Sequence, residues 1–223
     1  MLGCDSPHAP RKQLSHTSGG TMQSPSETTS STRKIFAFLF MSLDGYVEGP
    51  DGELDWNLTD EEFFTWNIRQ SREIGALLLG RRTFDHFAEF WTTPSAAAAM
   101  PEVWTFMNTV QKTVVTGRDA PPQDWDGTRV VDGDDLAGVV GTLRDETGGD
   151  VAVLGSPTLT CALLEQGLID ELRLLVHPVL LGDGRRLTDA LRHRVLLDAG
   201  PTTVFRSGNT LLTYRPRTLE RTP

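Results

Sequence analysis

Residues 151–187, VAVLGSPTLTCALLEQGLIDELRLLVHPVLLGDGRRL, constrain the fold more than any other stretch. Positions 151–154 form a short apolar run closed by Gly155, as a strand buried on both faces requires. Ser156 stands where an N-cap belongs. Pro157 follows at the first helical position, where its missing N–H costs nothing. Leu159, Ala162, Leu163 and Gln166 recur at helical spacing, and Gly167 falls where such a helix stops. Residues 171–177 read as a second strand. Strand, short helix and strand make a right-handed βαβ crossover, which places both strands in one parallel sheet.

The turn at 155–158 has a chemical meaning. A tight turn from a buried strand into a helix presents unpaired backbone N–H groups, and the helix dipole adds partial positive charge. Small residues at 155 and 156 let a pyrophosphate approach the backbone closely. An ordinary strand-to-helix turn has the same spacing, so the turn points to a nucleotide without requiring one.

The remaining chain repeats the alternation. Residues 1–32 are rich in Ser, Thr, Pro and Gly, and are expected to be disordered ahead of one domain at 33–218. Residues 34–41 (KIFAFLFM) predict a central strand, and 48–53 an irregular loop. Thr59 opens a helix as a capping box with Glu62. Residues 76–79 predict another strand, turning at Gly80, Arg81, Arg82 and Thr83 into a helix; 92–107 fits either loop or helix. Strands are expected at 112–115 and 129–131, and a helix at 135–146. Residues 202–206 and 210–214, joined by Ser207-Gly208-Asn209, close the sheet edge as a hairpin. The expected fold is therefore a single α/β domain, mostly parallel with an antiparallel edge.

Composition narrows the function classes. A net charge of −9 argues against a protein that coats nucleic acid or anionic membrane. No run of about 18 apolar residues suggests a transmembrane helix. The two cysteines, Cys4 and Cys161, make no disulfide framework, and no Cys/His spacing predicts a metal site, so a cytoplasmic protein is expected. The Gly-x-Ser-x-Gly elbow and the Walker A loop are both absent. The aromatic group Phe84, Phe87, Phe90 and Trp91 reads as core or dimer contact.

Six segments in order resemble the dihydrofolate reductase-like superfamily, and within it the reductase domain of bacterial riboflavin biosynthesis. They are Ser42-Leu-Asp-Gly-Tyr46, Gly80-Arg-Arg-Thr-Phe84, Val114-Val-Thr-Gly117, Gly155-Ser156 with Leu159, His177-Pro-Val-Leu-Leu-Gly182-x-Gly184, and Ser207-Gly208 with Leu212 and Tyr214. The resemblance implies a doubly wound sheet of about eight strands that binds NADPH across its carboxyl edge. Gly155, Ser156 and Thr158 would hold the pyrophosphate. Gly80, Arg81, Arg82 and Thr83 would meet the adenosine-side phosphates, where a guanidinium can pair with a 2′-phosphate and favour NADPH over NADH. As bare sequence, Arg81 and Arg82 are equally a solvated pair at a helix start. Thr116 and Gly117 would line the cofactor, and Phe40 and Val47 would flank the nicotinamide amide.

Two carboxylates are catalytic candidates. Glu61 matches the acidic position that grips a pterin, although acidic residues in a first helical turn also simply complement the dipole. Asp44 borders the cleft in the family, although Asp-Gly is also common turn chemistry. The expected function is an NADPH-dependent reductase acting on a small heterocyclic or ribosylaminopyrimidine-type substrate. Dihydrofolate reduction and a non-catalytic NADPH-binding or interaction protein are the alternatives. A homodimer is expected by resemblance.

Overall fold

The computed structural model describes residues 32–117 and 124–217. The segment expected to be disordered lies outside the described residues, apart from position 32. The strands are β1 (Ile35–Ser42), β2 (Tyr46–Glu48), β3 (Ile74–Gly80), β4 (Gln111–Thr116), β5 (Thr128–Asp132), β6 (Asp150–Leu154), β7 (Glu171–His177), β8 (Arg185–Arg186), β9 (Leu197–Val204) and β10 (Thr210–Pro216). The α-helices are α1 (Glu61–Ser71), α2 (Arg81–Trp91), α3 (Pro94–Ala99), α4 (Pro101–Thr109), α5 (Leu136–Asp145) and α6 (Pro157–Glu165).

Eight strands form one sheet in the order β5-β4-β3-β6-β1-β7-β10-β9. The first six run parallel, and the β9–β10 hairpin adds an antiparallel edge. This is the doubly wound α/β arrangement the sequence indicated. β1 is central and paired on both sides, which explains why IFAFL is apolar at every position and does not alternate. The β6–α6–β7 unit forms as expected, with both strands flanking β1. Gly167, at φ +68°, ends α6: its N–H reaches the Leu164 carbonyl (3.1 Å) and the Leu168 N–H reaches that of Leu163 (2.9 Å).

The two sheet faces carry separate cores. Leu136, Val140 and Leu143 of α5 and Leu159, Cys161 and Leu163 of α6 pack on one face. Phe63 of α1, Phe84 and Ala88 of α2 and Met107 of α4 pack on the other. Adjacent strands β3 and β6 therefore send their helices to opposite faces. A crevice opens between their carboxyl ends, the position where open α/β sheets bind ligands.

Three local expectations change. The cap of α1 is Asp60, not Thr59, and its carboxylate accepts from the Phe63 N–H at 2.8 Å. Glu62 instead accepts from the Arg206 N–H (3.0 Å), so long-range contacts at the β9–β10 turn displace the local box. Residues 92–107, left open between loop and helix, form α3 and α4. Each starts on a proline, and Thr93 caps α3 by accepting from the Ala96 N–H at 3.2 Å. The loop expected from residue 48 begins as a strand, because β2 pairs with β8 in a small antiparallel flap.

Candidate functional site

The turns after β3 and β6 are stitched to each other. Ser156 Oγ accepts from the Gly80 N–H at 2.8 Å, and the Ser156 N–H donates to Thr83 Oγ1 at 3.1 Å. Ser156 thus occupies the N-cap position of α6 without capping it, a correction to the sequence reading. The reason lies in its backbone: at φ 51° and ψ 63° the side chain is turned across the crevice and makes no cap bond. It is the only non-glycine residue at positive φ among the described residues. It follows Gly155 at φ +59°, where an added Cβ would sit 3.3 Å from Thr83 Cγ2. Two successive left-handed residues are needed to swing the strand into α6 beside α2.

That geometry brings two helix N-termini to one pocket, lined by Gly80–Thr83 of α2, Ser156–Leu159 of α6, Glu48 and Arg185. Neither helix carries an acidic residue in its first turn, and the N-cap Gly80 offers no side chain. The first-turn N–H groups of both helices have no intrahelical acceptors by position, so both dipoles are unopposed there. Arg82 and Arg185 approach Glu48 at 3.0 and 3.8 Å, and Arg185 also hydrogen-bonds the Thr158 hydroxyl. Arg81 pairs with Asp85 at 2.7 Å along its own helix. Pyrophosphate fits this donor set: two helix ends, with the Thr158 and Leu159 N–H groups in the first turn of α6, and guanidinium groups at the rim.

The pocket opens into a cleft of about 610 Å³ between α1, α2 and α4. Phe40, Val47, Arg82, Thr83, Gly155 and Ser156 all line it. Gly80, Arg81 and Thr158 line the smaller pocket alone. Thr116 and Gly117 end β4, one strand further out, and line neither.

Both carboxylate candidates lie outside the cleft lining. Glu61 is exposed at the start of α1. Asp44 accepts from Ser42 Oγ (2.7 Å) and the N–H groups of Leu181 (3.2 Å) and Gly182 (2.8 Å). Those bonds, the Ser42 hydroxyl foremost, lower its pKa to about 2. Asp44 thereby ties the turn after β1 to the loop before β8 and holds the flap over the pocket. Gly184 belongs to that loop because a Cβ there would meet the Glu48 carbonyl at 2.2 Å.

Sequence reasoning missed Glu48 and Arg185. Of the α2 aromatics read as core or dimer contact, Phe84 is core and Phe87 and Trp91 pack against that core, while Phe87, Phe90 and Trp91 also line the cleft with Thr83 and His86. Positions 83, 86, 87, 90 and 91 lie at i, i+3, i+4, i+7 and i+8, one helix face, and that spacing was the available signal. His177 ends β7 as expected. It is 1% exposed, packed against the rings of Phe40 (5.2 Å) and Trp56 (5.4 Å), and neither ring nitrogen has a hydrogen-bond partner. Desolvation lowers its pKa to about 4, outweighing the opposing effect of the Leu58 backbone.

A doubly wound, mostly parallel sheet with an antiparallel edge hairpin is the dihydrofolate reductase-like fold, and solved structures similar to this chain share it. A Shewanella sp. PV-4 protein assigned to riboflavin biosynthesis aligns with TM-score 0.65 at 22% identity, covering 83% of this chain and 99% of its own. The diaminohydroxyphosphoribosylaminopyrimidine deaminase/5-amino-6-(5-phosphoribosylamino)uracil reductase of Thermotoga maritima gives 0.64 at 14%, covering 85% and 58%. Enterococcus faecalis dihydrofolate reductase, complexed with NADP(H), gives 0.55 at 17%, covering 83% and 97%. Residues 33–211 match the RibD C-terminal domain, and the chain belongs to that family. The uncharacterized protein YyaP of Bacillus subtilis (strain 168) is 30% identical over 183 residues, 82% of this chain and 94% of YyaP.

Proposed function

We propose that the chain is an NADPH-dependent reductase. The observation that carries this reading is the pocket where α2 and α6 converge, held by the reciprocal Ser156–Gly80 and Ser156–Thr83 bonds. First-turn N–H groups of α6, that of Thr158 among them, would hold the pyrophosphate, with the small Gly155 and Ser156 letting it approach closely. Arg82, aided by Arg81 and Arg185, would meet the adenosine-side phosphate, with Thr116 and Gly117 flanking the adenosine. Phe40 and Val47 would wall the nicotinamide end, where the apolar surroundings exclude water. When bound, the cofactor supplies a hydride for reduction of a C=N or C=O bond. Asp44 would act by holding the flap, and Glu61 by complementing the α1 dipole.

A soluble cytoplasmic homodimer completes the reading. No helix among the described residues is long and apolar enough to cross a membrane. The outer strand β9, with Val204 exposed, offers the sheet edge for a second copy. Titration calorimetry tests the nucleotide claim. NADPH should bind more tightly than NADH, and Arg82→Ala should weaken NADPH by about tenfold while changing NADH little. Binding of neither nucleotide at millimolar concentration would overturn the reading.

A further inference from the structure

The cleft beyond the phosphate pocket has a composition that selects its guest. Its aromatic walls come from α1 (Phe63, Phe64), α2 (Phe87, Phe90, Trp91) and α4 (Phe106). Its ionisable lining residues are Glu48, Arg82 and His86. Glu48 and Arg82 face each other at 3.0 Å where the cleft meets the phosphate pocket, and His86 is exposed. No lysine or aspartate among the described residues lines the cleft. Among the polar residues deeper in, Gln70 is engaged: its Oε1 accepts from Arg173 at 2.7 Å, and its amide reaches Asn67 Oδ1 at 3.4 Å. Ser71 donates to the Ile68 carbonyl at 2.8 Å.

From this lining we infer that the cleft takes an uncharged planar ring compound, neither a phosphorylated sugar conjugate nor a pterin. A phosphate group entering here would lose its hydration and meet a single guanidinium, Arg82, which on the reductase reading is engaged by the cofactor. A pterin grip needs an inward carboxylate, and Glu61 points its helix turn to solvent while Glu48 is paired. Aromatic walls on three helices instead suit a flat apolar guest by offset or edge contacts. Asn57, Thr59 and Asn67 supply a small polar set for its orientation.

This inference rests on the reductase reading for its chemistry. A conjugated C=O or C=N on the ring would accept a hydride at carbon as its π bond breaks. A proton from water completes the heteroatom, and the dihydronicotinamide is oxidised to the nicotinamide.

Calorimetric binding on the intact chain, without nucleotide, provides the test. The probes are menadione (neutral quinone), dihydrofolate (a pterin carboxylate) and the phosphoribosylaminouracil. Menadione should bind at least about tenfold more tightly than either anion. Phe90→Ala should weaken menadione several-fold. Phe90→Arg, at a ring 43% exposed and so tolerant of charge, should reverse the order of neutral and anionic probes. Equal or tighter binding of either anion by the wild type would overturn the inference, as would binding of no probe. NADPH titrated separately distinguishes the two readings: ring selectivity without NADPH binding removes the reductase proposal alone.

Discussion

At the residue scale, Ser156 concentrates the account. Its hydroxyl satisfies the Gly80 N–H that would otherwise face the crevice unpaired, and its own N–H is held by Thr83. Removing a buried hydrogen-bond partner typically costs about 1–2 kcal/mol. Ser156→Ala should therefore lower urea-unfolding stability by that amount and weaken NADPH. Unchanged stability would show the two turns to be independent. His177 gives a second residue-level prediction. Its folded pKa of about 4 lies below the unfolded value near 6.5. Between these values the unfolded chain binds a proton that the native chain refuses, so stability falls as pH drops from 6.5 to 4. The loss should reach about 2–3 kcal/mol. His177 packs against the rings of Phe40 and Trp56, so His177→Phe should keep an aromatic ring there and abolish that acid-sensitive segment. An unchanged acid profile in the variant would assign the loss to other groups.

At the element scale, the β2–β8 pair brings Glu48 and Arg185 to the pocket proposed to take the cofactor phosphates. Glu48, carried on β2, is the single carboxylate in its lining among the described residues and is held by Arg82 and Arg185. On the proposed reductase reading, an incoming phosphate competes with it for the same guanidinium groups. Glu48→Gln should tighten NADPH by about three- to tenfold at low salt, less at high salt. Weakened binding would mean that Glu48 positions the arginines and does not compete. Local periodicity revealed β6, α6 and β7 because each buries a face against its chain neighbours. It could not reveal β2–β8, a two-to-three-residue pairing whose anchor, Asp44 to Leu181 and Gly182, closes across 137 and 138 residues. The same limit moved the α1 cap to Asp60, whose second carboxylate oxygen accepts from the distant Ser207 N–H at 2.7 Å.

At the scale of the whole molecule, strand alternation showed the fold class, and the ordered motifs showed the family. The Gly155–Ser156 turn was legible as a phosphate candidate because its chemistry is backbone chemistry, written in small residues. Arg185 and the cleft-facing stripe of α2 were not, since their roles depend on which sheet face each helix covers. That assignment exists only once β3 and β6 are neighbours sending α2 and α6 to opposite sides. The central claim is that these two helix ends form one nucleotide-phosphate site, and a crystal structure of the protein grown with NADPH tests it most directly. The account predicts the pyrophosphate against the Gly155–Ser156 backbone and the first turn of α6, the adenosine-side phosphate at Arg82, and the nicotinamide between Phe40 and Val47. A nucleotide bound elsewhere, with the Glu48–Arg82 pair still closed over the pocket, would contradict it.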